Sequence, residues 1–266
     1  MDSVLHFTAR AASVKMEAIS GMDFLRTIDA KRKITAFALC AAIVLGAHSV
    51  AHGWYDRTHL AIAKAVGYDR WYNAAGADIA KLKAGSVEGY NHFYNNIEGT
   101  DISAEHVLAQ VKKNNNPRDA RGHLYGAIIG ALQAYKKSTR EFKYAEHHIA
   151  YAVHYVGDLS QPLHNLPNDT FNIQHHNKND GIVDGEVLEH LEKITARMYP
   201  VILKPETFET DLAREIARIA NLSRRLGQQL KKENRDMTTE EAYRQLGHSA
   251  SLLQAILKYL GKIPAY

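Results

Sequence analysis

Eight His and Asp side chains in this sequence are candidate ion ligands, two pairs of them four residues apart: His59, Asp78, His92, His154, Asp158, His164, His176 and Asp180. The densest stretch is His-Tyr-Val-Gly-Asp-Leu-Ser-Gln-Pro-Leu-His, from His154 to His164. His154 and Asp158 are four apart, so on a helix they lie on one face and can hold one ion. Gly157 and Pro162 should end that helix near Asp158 and Gln161. His164 then falls in a new segment, where it can serve a second ion nearby. Alone, such a stretch reads as a helix with one buried His and a capping Asp. The repeated His/Asp pairs, with His176 and Asp180 again four apart, favour ligands instead. Imidazole plus carboxylate suits zinc.

Composition narrows the chemistry. The chain has 266 residues, 15 of them His, and a single cysteine, Cys40, so neither an intrachain disulfide nor a thiolate cluster can form. A metal site must use His, Asp, Glu and backbone. Hydrophobic residues make up 45% and charged residues 23%, ordinary for a globular protein. The formal net charge of +4 is too mild to argue for nucleic acid by itself.

The N-terminal region reads as a targeting segment. Lys31-Arg32-Lys33 precedes the apolar run 34–46, too short to span a bilayer but fitting a secretory signal. Ala51-His52-Gly53 offers small residues where a signal peptidase reads, so cleavage is expected after Gly53. Residues 1–53 would be removed, and 54–266 would form the exported, secreted or periplasmic domain. Six basic and four acidic residues leave with the segment; 27 and 25 remain, a net charge of +2.

The elements that must position these ligands are all helical. Periodicity predicts helices over 59–66, 69–83, 103–113, 118–138, 144–156, 183–199 and 206–231. A last helix to residue 260 opens with the capping box Thr238/Glu241. Residues 86–99, with His92-Phe93-Tyr94 inside, and the Asn-rich 166–180 read as loops. No alternating strand pattern occurs. The expected architecture is a single all-α domain of about seven or eight helices, with ligands gathered from several of them. Such a cluster points to metal-assisted hydrolysis, above all of a phosphate ester.

Four motifs together resemble a known family. They are Trp-x4-His at Trp54/His59, Asp-x13-His-Phe-Tyr at Asp78/His92, His-x3-Asp-x5-His at His154/Asp158/His164, and His-x3-Asp at His176/Asp180. In order and spacing they look like the zinc-dependent phospholipase C and single-strand-specific nuclease superfamily, up to about Asp184. The resemblance implies an all-α fold around a buried trinuclear zinc site. Asp78, His92, His154 and Asp158 would hold one zinc, and His164, His176 and Asp180 a second. The third would take His59, a bridging Asp158, and the free amine and carbonyl of Trp54. An internal amide nitrogen is not a useful zinc ligand, so this third site would need cleavage before Trp54. Asp78 would help orient or deprotonate the attacking water.

Substrate choice divides the family. The His-Tyr-x-Gly-Asp core and His176-x3-Asp-Gly-x-Val-Asp resemble the phospholipase C branch, although Arg57, Ile79 and Gly89 stand where a choline pocket would have acid and aromatics. Lys81, as a phosphate contact, and Phe93, as a base-stacking ring, fit the nuclease branch. The nearly neutral mature charge offers no track for a polyanion. The expectation is a phospholipase C-like phosphodiesterase. The alternatives are a single-strand nuclease or 3'-nucleotidase, and a non-catalytic metal- or lipid-binding exported protein. Partners would be a phospholipid headgroup or single-stranded nucleic acid, with peripheral membrane contact left open and the chain acting as a monomer. His147 reads as a surface residue or a support for a ligand, Asp184 as a support for a ligand His or a helix N-terminal charge. His106, His123, His190 and His248 read as structural or solvent-facing.

Overall fold

This computed structural model describes residues 53–264. The targeting segment expected over residues 1–53 lies outside them except for Gly53. In chain order the α-helices are α1 (Asp56–Ala65), α2 (Gly76–Ala84), α3 (Ser86–Gly89), α4 (Ala104–Gln110), α5 (Leu124–Arg140), α6 (Glu146–Leu159), α7 (Thr170–Asp180), α8 (Leu191–Thr195), α9 (Phe208–Glu233) and α10 (Thr239–Tyr259). Short 3-10 turns punctuate them, and there is no β-strand among the described residues. The helix count among the described residues exceeds the expected seven or eight because α3 and α7 form in stretches that read as loops.

Helices α5 and α6 occupy the centre. Every residue of α5 from Leu124 to Leu132 is buried, so its first half runs through the interior rather than along a surface. The link 141–145 is short, which keeps α6 beside it. Helix α6 buries apolar residues together with His154 and Asp158.

The C-terminal helices form the scaffold behind this pair. Leu212, Ile216, Ile219, Ser223, Gly227 and Leu230 of α9 recur at steps of three and four and are all buried. Burying one such Leu or Ile stabilises by about 1.5–3 kcal/mol. Helix α9 ends where Asn234 turns left-handed, φ 49°. It lies against α4, α5 and the 3-10 turn Pro162–Asn165, which carries His164. Helix α10 starts at the predicted capping box, with Thr238 Oγ1 accepting from Glu241 N and Glu241 accepting from Thr238 N. It packs on α1, α6 and α8, and Ser249 donates its hydroxyl to the Val156 and Gly157 carbonyls. The scaffold is thereby tied to the end of the helix that carries Asp158.

Three expectations change. Residues 170–180 are a helix, not a loop: Asp169 caps it by accepting from Asn172 N at 3.2 Å. Its buried side chains are mostly polar, so an apolar periodicity could not announce it. Residues 183–199 are not one helix but a turn, a 3-10 segment at Val187–Glu189 and short α8. There Asp184 is drawn to the first turn of α1, accepting from Thr58 N at 3.0 Å and from Thr58 Oγ1 at 3.3 Å. Finally, residues 69–83 split into a 3-10 turn at Trp71–Asn73 and α2, and 86–99 opens with the single turn α3. None of the helices among the described residues is long and apolar enough to cross a membrane.

Candidate metal centre

Asp158 is the hub. It is fully buried on α6, one turn after His154. Its Oδ2 lies 3.0 Å from His92 Nδ1 and 3.4 Å from His154 Nε2; its Oδ1 lies 3.3 Å from His59 Nε2 and 4.0 Å from His164 Nδ1. Asp78, from α2, reaches the same cluster from the open side. Its Oδ1 stands 3.6 Å from His92 Nδ1 and 3.7 Å from His154 Nε2. On the far side, His164 Nε2 is 3.2 Å from His176 Nε2, which is 3.3 Å from Asp180 Oδ2. Three groups could each hold a metal ion: Asp78, His92 and His154; His59, His154 and Asp158; His164, His176 and Asp180. Within each, the ligand atoms lie within 4.8 Å of one another. All eight residues singled out by spacing therefore meet in one place.

The helices position these rings through their outer atoms. His154 Nδ1 faces the Ala74 carbonyl at 2.9 Å, His164 Nδ1 the His92 carbonyl, and His176 Nδ1 the Asn172 Oδ1 at 2.6 Å. A carbonyl or amide oxygen only accepts, so each Nδ1 carries the proton. Each Nε2 is thereby directed into the cluster, where on losing its proton it offers the lone pair a metal ligand needs. His59 stacks on His154, ring centroids 3.7 Å apart and planes 16° from parallel. That stacking requires Gly157: a Cβ there would come within 2.4 Å of His59 Nδ1. Gly157 thus serves the close approach of His59, and α6 ends at Leu159, between Asp158 and Gln161 as expected.

The donor set fits a divalent cation. Both ring nitrogens of His59, Nε2 of His92 and of His154, Oδ1 of Asp158 and Oδ2 of Asp180 are buried without a hydrogen-bond partner. Each such orphan costs about 1–3 kcal/mol, so folds seldom keep several together without a compensating partner. All are imidazole nitrogens or carboxylate oxygens, donors of the kind that bind divalent metals.

Without a cation the electrostatics pull apart. Burial, helped by His154, lowers His59. Burial acts the same way on His154, but Asp158 and Asp78 overcome it and push it up to about 9. Burial would raise Asp78 and Asp158; His154 leads the neighbouring cations that hold both below the usual carboxylate range. Asp180 goes the other way, raised by burial and then by the nearby Asp158 and Asp78 carboxylates. Metal binding must therefore displace protons.

The remaining predicted residues divide. Trp54 is fully buried, its indole donating to Ser160 Oγ at 3.4 Å, and it lines a cavity of about 340 Å³ with Tyr55, Asp56, Asp78 and Asp184. That cavity opens on the Asp78 edge of the cluster. Gly53 is buried against the hub: a Cβ on it would lie 1.7 Å from Asp158 Oδ1. Lys81 is drawn inward, its Nζ 2.6 Å from Asp78 Oδ1. Phe93 stands outside the cluster, its ring edge-on to Tyr90 at 6.1 Å and close over Gly122. His147 is exposed beside Tyr144. Asp184 supports His59 indirectly, by fixing the turn of α1 that holds it.

Several supporting residues were not found from spacing. Glu88 Oε1 stands 3.5 Å from His92 Nε2 and accepts a short hydrogen bond from Tyr155. Gln161 accepts from His164 N and donates to Asp180, coupling two ligands. Asn172, besides holding His176, donates to the Leu163 and Pro167 carbonyls. The available signal was the four-residue step of Glu88/His92 and Asn172/His176; Gln161, before Pro162, carried none. No protein-family model matches this chain, and no curated protein and no solved structure matches it either.

Proposed function

We propose that the protein is an exported zinc-dependent hydrolase of phosphate esters, a phospholipase C-like phosphodiesterase with three zinc ions. The observation that carries this reading is the convergence of His59, Asp78, His92, His154, Asp158, His164, His176 and Asp180 on one place beside the cavity at Asp78, with nitrogens of His59, His92 and His154 and oxygens of Asp158 and Asp180 buried there without a hydrogen-bond partner. A cluster of zinc ions held there would polarise a phosphoryl oxygen and supply a water acidic enough to attack at neutral pH.

The chain's own groups then take definite parts. Asp158, facing His59, His92 and His154 at once, is the carboxylate that would be shared between two ions. His154, His92 and Lys81 keep Asp78 ionised. Asp78, at the open edge of the cluster beside the cavity, orients the attacking water. Trp54 Nε1–H on Ser160 fixes the residue whose amine, once freed from Gly53, would complete the His59/Asp158 group. The burial of Gly53 against Asp158 supports that assignment. The ion pair of Lys81 with Asp78 and the packing of Phe93 at Gly122 weigh against the nuclease branch.

Phosphorus NMR on protein whose N-terminus is verified as Trp54, with zinc, lecithin vesicles and short single-stranded DNA together, tests the reading. A growing phosphomonoester signal from the lipid headgroup is expected. Nucleotide monophosphates with intact lipid would instead make it a nuclease. No turnover of either substrate, with metal bound, would leave a metal-binding protein.

A further inference from the structure

Helix α2 is built inside out. Lys81 is only 6% exposed and turned in to Asp78, whereas Leu82 is 80% exposed and Ile79 64%. Ile79 and Leu82 are three apart and share the outer face. Tyr72, on the 3-10 turn before α2, is 61% exposed, and Val87, on α3 just after it, is also exposed. Between Trp71 and Val87 the sole acid is Asp78, which is held inward, while Lys83 is exposed. The result is an apolar face with a positive charge, no exposed acid, and an edge shared with the metal centre through Asp78.

We propose that this face, formed by Tyr72, Ile79, Leu82 and Val87 with Lys83, seats on the surface of a phospholipid bilayer and sets the Asp78 edge of the cluster against the headgroups. The choice of a phospholipid surface rests on the phosphate-ester reading of the adjoining site. Four apolar side chains standing in water gain by entering the headgroup–acyl boundary, and Lys83 meets lipid phosphate there. Lys83 is the exposed charge of the face itself, which matches a phosphate-bearing surface, while the exposed Asp56 lines the neighbouring cavity. Contact is peripheral, because no helix among the described residues can cross a membrane.

Co-sedimentation of the intact protein with phosphatidylcholine vesicles, with and without phosphatidylglycerol, tests the proposal. Binding is expected to strengthen with phosphatidylglycerol. The double variant Tyr72→Ser, Leu82→Ser should partition at least about tenfold more weakly while keeping its helical circular dichroism. Leu82→Trp keeps the face apolar; it should bind as the wild type does, with its added emission shifting to the blue. Failure of the wild type to sediment, or equal sedimentation of the double variant, overturns the proposal. A wild-type dimer dissolved by the double variant also overturns it, making the face a self-association surface. Vesicle binding without hydrolysis of a soluble phosphodiester would sink the proposed activity alone. That hydrolysis without vesicle binding would sink the docking face alone.

Discussion

Helices α9 and α7 solve opposite problems. Helix α9 turns Leu212, Ile216, Ile219 and Leu230 inward and its charges outward, and burial of that stripe holds it. Helix α7 does the reverse: Asn172, His176, Asn179 and Asp180 point inward and Ile173 is exposed. Helix α2 shares this inversion at Lys81 and Leu82. Apolar burial holds the first kind of helix whether or not a metal is bound. The second kind depends on its buried polar atoms finding partners, so it should answer to metal and protons where α9 does not.

The strongest test removes the hub. Asp158→Asn takes away the carboxylate that His59, His92 and His154 share, and is expected to cut metal content and reduce phosphodiester turnover by more than about a hundredfold. Atomic emission and kinetics on the same sample read both; a variant that keeps its metal and its rate would remove Asp158 from the centre of the site.

Ile216→Ala should cost α9 about 2–5 kcal/mol by opening a cavity, and by the same amount with or without chelator. Urea unfolding in both conditions checks this; a cost that changes on chelation would mean the two regions are energetically coupled. Hydrogen exchange sharpens the contrast. After chelation the amides of α2 and α7 should lose protection while those of α9 and α10 keep theirs. Uniform loss would erase the distinction drawn here.

The pH response follows from His154. With its pKa raised from 6.5 to about 9 in the metal-free fold, it contributes stability that is complete below 6.5 and fades as pH climbs through 9. Asp180, also raised, acts in the same direction. The thermal midpoint of chelated protein should therefore decline between those values more steeply than that of metal-loaded protein, as scanning calorimetry would show. The smallest effect belongs to the scaffold: Thr238→Ala removes the capping box of α10 and should cost about 1 kcal/mol, unaffected by metal.

Much of this molecule was legible in the chain itself. The apolar steps of α9 and the Thr238/Glu241 box gave both C-terminal helices nearly to their ends, because burial and capping are written locally. The motifs singled out the eight His and Asp residues that meet in the cluster, and for His154/Asp158 and His176/Asp180 the four-residue step was enough, even where the segment read as loop, because it holds on any helix. Tertiary structure decided the rest. That α7 is helical depends on Asp169, on Leu163 and Pro167 as acceptors for Asn172, and on a polar interior that no local pattern encodes. That Gly157 admits the His59 ring, that Asp184 fixes α1, and that Leu82 faces water while Lys81 does not, are matters of which surface lies opposite. A sequence lists side chains in order along one line; those relations exist only once distant segments have been brought within a few ångströms of each other.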